Sequence, residues 1–154
     1  MRRFTLLATT LCLSATALLA QDLTEDQDRA LTARQAHMGL YGFYLTPLGQ
    51  MAQDRIPYDA EVAAAAANNL AAMAAIDQSA FWVEGTDSTL ERSRARAEIW
   101  TDPEGYLEVK QDMETATAAL AMVAGDGLDA LKGAFGPVGQ SCGACHETYR
   151  APAN

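Results

Sequence analysis

Apolar positions along this chain recur mostly at steps of three and four, and the clearest run lies near its end. Leu128, Leu131, Phe135, Val138, Cys142, Cys145 and Tyr149 step by three and four in strict alternation, which predicts one helix with a single apolar stripe. A first helix is predicted from Thr24, which with Gln27 three residues on has the form of a capping box. Its stripe is Leu31, Met38, Tyr41, Leu45 and Leu48. Pro47 is expected to kink or end it, and Ile56-Pro57 to close the following turn. Asp59 N-caps a second helix through Val62, Leu70 and Met73 to about Ile76, with the alanines 63–67 at its centre. Asp102-Pro103 is an N-cap and first-turn pair for a third helix over 103–124, carrying Leu107, Val109, Met113, Leu120 and Val123. Gly125-Asp126-Gly127 ends it, Pro137 should bend the last helix and Pro152 marks its end.

Four such helices with short-to-medium connections predict an all-α, antiparallel up-down-up-down four-helix bundle. In that topology the first and last helices are neighbours, and the N-terminal half of the first faces the C-terminal end of the last. Arg34, His37 and Met38 then lie opposite residues 142–146. The segment from Phe81 to Asp87 breaks the helical pattern, and its two aromatics followed by Gly85 predict a loop folded back onto an apolar surface. A local basic patch, Arg92, Arg94 and Arg96, precedes Ile99-Trp100.

The start of the chain reads differently. Met1-Arg2-Arg3 and the apolar run from Phe4 to Leu19 form a secretory signal peptide, residues 1–20, with cleavage expected after Ala20 and a competing site after Ala17. The run is too short for a stable membrane anchor, and Thr10 and Leu11 before Cys12 do not make a lipid-attachment site. The mature domain is therefore 21–154, exported to the periplasm. Of 11 basic side chains Arg2 and Arg3 leave with the signal, so 9 basic face 20 acidic ones, a net charge of −11. That charge argues against nucleic acid and anionic membrane partners and favours redox partner proteins with a basic docking surface. Only Cys142 and Cys145 of the three cysteines remain.

Those two fall in Cys142-Gly143-Ala144-Cys145-His146. C-x-x-C-H is the attachment signature of haem c, one group held through two thioethers with the imidazole on its iron. On a helix the positions i, i+3 and i+4 share a face, so both sulfurs and the imidazole point the same way. A thioredoxin-like dithiol would need a βαβ setting and a zinc site a fourth ligand; neither is visible. Because the cysteines continue the core stripe, the haem belongs inside the bundle.

The Arg34-Gln35-Ala36-His37-Met38 segment, the aromatic-Gly-Thr loop from Trp82 to Thr86, Ile99-Trp100 and the stretch from Cys142 to Arg150 together resemble the class II c-type cytochromes, which include cytochromes c′. The resemblance covers nearly the whole mature chain. It implies a left-twisted four-helix bundle with His146 as proximal ligand. It also implies Arg34 on a haem propionate, Trp82, Thr86, Ile99 and Trp100 around the haem, and Arg150 near the proximal histidine. Two branches of the family differ four residues after the arginine: an apolar residue leaves iron five-coordinate, and methionine completes a low-spin site. Here that residue is Met38. His37 is a rival ligand, and ordinary core packing the bland reading of Met38. Adjacent helical positions point about 100° apart, and the stripe favours Met38 inside.

The leading expectation is a monohaem c-type cytochrome, not an enzyme, carrying single electrons through a six-coordinate His146/Met38 iron. The alternative is a five-coordinate or ligand-displaceable cytochrome c′-like protein binding nitric oxide or carbon monoxide, for which Gly39 and Gly42 leave space. No peroxidase-type distal His–Arg pair stands out. Family members are monomers or homodimers pairing through the first two helices, and Leu40, Tyr44 and Leu48 leave both open.

Overall fold

The computed structural model describes residues 23–152; the expected signal segment and Cys12 lie outside the described residues. Five α-helices are found there: α1 Glu25–Ala52, α2 Ala60–Ala74, a one-turn α3 Glu98–Thr101, α4 Pro103–Val123 and α5 Leu128–Tyr149. No β-strand is formed among the described residues, and none of their helices is long and apolar enough to cross a membrane. The predicted caps are present. Thr24 and Gln27 make a reciprocal capping box, Asp59 accepts from the Val62 amide, and Asp102 accepts from that of Gly105. α1 continues through Pro47 and α5 through Pro137; in each, the turns on both sides keep their packing, which outweighs one lost backbone hydrogen bond.

The long helices form a four-cornered bundle in which α1 packs on α2 and α5, and α4 on α2 and α5. Hydrogen bonds fix the antiparallel senses. Tyr58, just before α2, donates to the Ala124 carbonyl and accepts from the Gly127 amide, so the start of α2 meets the end of α4. Lys132 near the start of α5 pairs with Asp54 after the end of α1, at 2.7 Å. The N-terminal half of α1 therefore faces the C-terminal half of α5.

Two stripes differ from the sequence expectation. On α2, Val62 and Ile76 are exposed, and the buried face is Ala63, Ala66, Ala67, Leu70, Met73 and Ala74. Alanines let the neighbouring helices approach closely, so the small residues, not the larger aliphatics, mark the inward face, and Ile76 lies beyond the helix end. On α4, Leu107 is 59% exposed and Tyr106 is buried. The inward line runs through Tyr106, Thr117 and Leu120, one position away from the line read through Leu107. The main core joins Tyr41, Leu48, Met51, Leu70, Leu120, Leu131 and Val138. A second cluster of Ala95, Ile99, Tyr106 and Tyr149 sits at the end that carries the cysteines.

Residues 75–102 form the long connection between α2 and α4. It is pinned at both ends of its course. Gln27 donates from Nε2 to the Glu84 carbonyl at 2.9 Å, beside Gly85, whose φ of +77° turns the chain back. Farther on, Ala95 bridges to Arg150, with the Arg96 amide donating to the Tyr149 carbonyl and the Ala151 amide to that of Arg94.

Candidate haem site

The cysteine-bearing face of α5 and the opposed face of α1 leave between them a cavity of about 470 Å³, a size usual for small-molecule and cofactor sites. Cys142, Cys145 and His146 line it from α5, and Leu31, Arg34, Met38, Tyr41 and Leu45 from α1. Helical geometry is the reason. On α1 the steps 31, 34, 38, 41 and 45 keep one face, and on α5 so do 142, 145, 146 and 149. The long connection contributes Gln78, Trp82 and Ile99, and α4 contributes Tyr106, Val109, Lys110 and Met113.

Both thiols are half-buried and unbridged. Burial pushes the Cys142 thiol up, and that of Cys145 up to about 11, so both are protonated at neutral pH. The His146 imidazole is held below its ordinary range, first by burial and then by Arg150 and Arg94, which favours the neutral form a metal ligand requires.

Arg34 is 5% exposed. It donates to the Thr86 hydroxyl at 3.1 Å, the Thr86 carbonyl at 2.8 Å, Ser93 Oγ at 3.0 Å and, more weakly, the Phe81 carbonyl at 3.4 Å. Its guanidinium also lies 4.9 Å from the Trp82 ring centre. All these partners are neutral, and desolvation lowers its pKa. A buried cation with no carboxylate in reach among the described residues would be stabilised by an anion in the cavity it lines.

Three further buried donors at the cavity lack a hydrogen-bond partner among the described residues: Tyr41 Oη, Gln78 Nε2 and Trp82 Nε1. All three side chains line the cavity, and burial raises the Tyr41 and Tyr106 phenols so that they stay protonated. Tyr106 donates to Gln78 Oε1 at 3.0 Å, leaving the Gln78 amide nitrogen free to donate. Apolar walls, two thiols and an imidazole on one helix face, and unmet donors with a buried guanidinium make a chemical fit for a flat apolar group that carries carboxylates. Haem meets that description. Among the described residues no three His, Cys, Asp or Glu side chains are gathered to hold a bare metal ion.

The structure brings together Cys142, Cys145, His146, Met38, Arg34, Trp82 and Ile99 as cavity lining. Two residues expected around the haem stand behind that wall. Thr86 is fully buried, accepts from Arg34 and donates to the Val83 carbonyl at 2.6 Å. Trp100 donates from Nε1 to the Trp82 carbonyl at 2.8 Å and meets the Trp82 ring edge-on. Each holds a lining residue in place. His37 also lies away from the lining, buried against Tyr41 and Phe81 at ring distances of 4.6 and 5.5 Å. Tyr106, Lys110 and Gln78 were not read as site residues from sequence. The first two share a face with Met113, so that spacing carried a usable signal; Gln78 sits in an irregular connection that carried none.

The model of a family described as Cytochrome C′ matches residues 29–150. Cytochrome c-554 of Cereibacter sphaeroides is 39% identical over 151 residues, covering 97% of this chain and 98% of that one. The solved structure titled cytochrome c′ from Rhodobacter Spheriodes superposes with a TM-score of 0.80 at 32% identity, covering 82% of this chain and 98% of that chain. A mutant of cytochrome c prime from Alcaligenes xylosoxidans, titled as a nitric oxide complex, gives a TM-score of 0.74 at 30% identity over 85% of this chain and 100% of that chain.

Proposed function

The chain belongs to the cytochrome c′ family, and from that premise we propose a periplasmic carrier of single electrons whose iron is held by His146 on one side and Met38 on the other. As in its family, its cofactor is a covalently bound haem c. When bound, the haem supplies a one-electron change at iron. The chain's part is to fix and shield it: Cys142 and Cys145 as the thioether partners, His146 as the imidazole ligand, and Arg34 with the unmet donors for its carboxylates. Export to the periplasm rests on the signal segment of residues 1–20.

The observation that carries the reading is the position of Met38. Met51 and Met73 are buried in the main core, as most helical methionines are. Met38 belongs to neither core cluster; it is 38% exposed, not packed inside as its stripe predicted, and lines the cavity that His146 lines from α5. Met113 also reaches the cavity, but it packs against the main core. A thioether opposite an imidazole keeps iron low-spin with little rearrangement between oxidation states, which suits electron transfer.

A second reading, a haem protein that binds nitric oxide or carbon monoxide, is favoured by the names of the relatives: one similar structure is titled as a nitric oxide complex. Gly42 lines the cavity one turn from Met38, and a Cβ at Gly39 or Gly42 would meet nothing within 4 Å. The names weigh toward this reading and Met38 toward the first. The absorption spectrum of the purified ferric protein separates them. A low-spin spectrum with the weak red charge-transfer band of a methionine-bound iron, lost in Met38→Ala, is expected. A high-spin protein that binds carbon monoxide readily would replace the first reading with the second.

A further inference from the structure

The cavity gathers positive charge in an acidic protein. Of the nine cationic side chains in the mature chain, Arg34, Arg92, Arg94, Lys110 and Arg150 line this one cavity, and no Asp or Glu does. They form two tiers. Arg34 is buried and placed for the carboxylates of the cofactor, Lys110 is half-buried and pairs with Glu114 on its own helix, and Arg92, Arg94 and Arg150 are exposed at the lip. With Lys110 paired to Glu114, the other four cations still exceed the two propionates of a haem, so the lip keeps an excess of positive charge.

The lip is also rigidly built. The isolated Ala95–Arg150 bridge locks both arginine-bearing segments, and Arg94 Nε donates to the Ala151 carbonyl at 2.9 Å. Arg96, just outside the lip, donates to the Thr148 carbonyl at 3.2 Å and lies 3.7 Å from Glu98. Arg92 pairs with Asp28 at 2.7 Å in the open, where such a pair is worth little. Arg94 and Arg150 have no carboxylate within 4 Å among the described residues.

We propose that Arg92, Arg94 and Arg150 dock the acidic surface of a redox protein at the cavity mouth. This rests on the haem occupying that cavity. It reverses the expectation from net charge: a partner at contact feels charges within roughly 10 Å, and the more distant carboxylates are screened at physiological salt. The acidic remainder of the surface then turns away the wrong approach, and the lip selects the face at which electrons pass.

The test uses the isotope-labelled ferrous holoprotein and hexacyanochromate(III), a paramagnetic, redox-inert trianion. The expected result is broadening of the amide resonances of 92–96 and 149–151 at low salt, lost at about 0.2 M salt and displaced by poly-L-glutamate. Arg92→Gln should weaken the effect about eightfold before screening, the Coulomb interaction of a trianion with a unit charge roughly 10 Å away in water. Lys132→Gln, the same change of net charge at the other end of the bundle, should leave it unchanged. Broadening centred near Lys132, no broadening, no displacement by poly-L-glutamate, or equal effects of the two substitutions would overturn the proposal. The absorption spectrum of each sample reports axial ligation separately, so a high-spin spectrum beside rim broadening sinks the Met38 reading and leaves this one standing.

Discussion

Arg34 donates to both oxygens of Thr86, the hydroxyl at 3.1 Å and the carbonyl at 2.8 Å. The two residues are 52 positions apart, and neither is exposed by more than a few per cent. The bond pair closes the long connection over α1 and leaves the guanidinium at the cavity wall. Thr86→Val keeps the shape and removes both the acceptor for Arg34 and the donor to Val83. It should cost about 1–3 kcal/mol, because a charged donor loses a partner inside the protein. Thermal unfolding of the holoprotein reads this as a lower Tm, with the same haem content as wild type; an unchanged Tm would show that the clamp is not holding the loop.

His37 is the opposite case. Its Nε2 is buried without a partner, and burial followed by Lys110 holds its pKa below the ordinary histidine range. Replacing such a group by an apolar side chain of similar size removes a desolvation cost and no bond. His37→Leu should therefore leave stability unchanged or higher, and the absorption spectrum untouched. Because the folded pKa is depressed, the wild type should lose stability relative to the variant as pH falls below about 6.5 and the unfolded imidazole takes up a proton. A spectrum altered by His37→Leu would place this imidazole on the iron.

What could be read in advance follows a physical divide. The shared face of Cys142, Cys145 and His146, the α5 stripe and the three side-chain caps are local: spacing and side-chain chemistry within one helix decide them, and all are present in the structure. Pairwise roles were less legible. Met38 and His37 are neighbours in the chain, and only the packing of α1 sends one to the cavity and the other against Phe81. Thr86 and Trp100 carry the same family signal as Trp82 and Ile99, yet they bond to the backs of lining residues, a difference of depth that no one-dimensional pattern encodes. On α2 the alanine face misled the stripe, since small residues pack inward without a hydropathy peak.

Tyr149 and Asp102 make a narrower joint. The Tyr149 hydroxyl donates to Asp102 Oδ2 at 2.9 Å while Oδ1 caps α4, so one carboxylate ties the start of α4 to the end of α5. Gly105 makes room for it, since a Cβ there would come within 2.6 Å of the Tyr149 hydroxyl. Gly105→Ala gains helix propensity of about 1 kcal/mol, but it must displace the phenol or the cap. A net loss of about 1–2 kcal/mol is expected. In Tyr149→Phe the same glycine change should cost less, and a double-mutant cycle by chemical denaturation measures the difference; a Gly105→Ala protein more stable than wild type would show that the joint yields freely.

Haem attachment should be coupled to folding. A 470 Å³ void inside a bundle of this size would cost on the order of 11 kcal/mol at about 24 cal/mol per Å³. That is an upper bound because the mouth admits water, yet it rivals the roughly 5–15 kcal/mol by which domains are stable. The haem-free chain should therefore not hold this fold, and its thiols report the outcome. In the folded geometry burial raises Cys145 to about 11, a preference for the neutral thiol that stabilises the fold below the free-cysteine pKa and is lost as pH rises toward 11. At pH 8 a folded Cys145 would alkylate about a hundredfold more slowly than a free cysteine, since the thiolate is the reactive form. The expected result for the haem-free chain is alkylation by iodoacetamide at the free-cysteine rate, with no near-ultraviolet circular dichroism. Hundredfold protection together with cooperative unfolding would mean that the bundle stands without its cofactor.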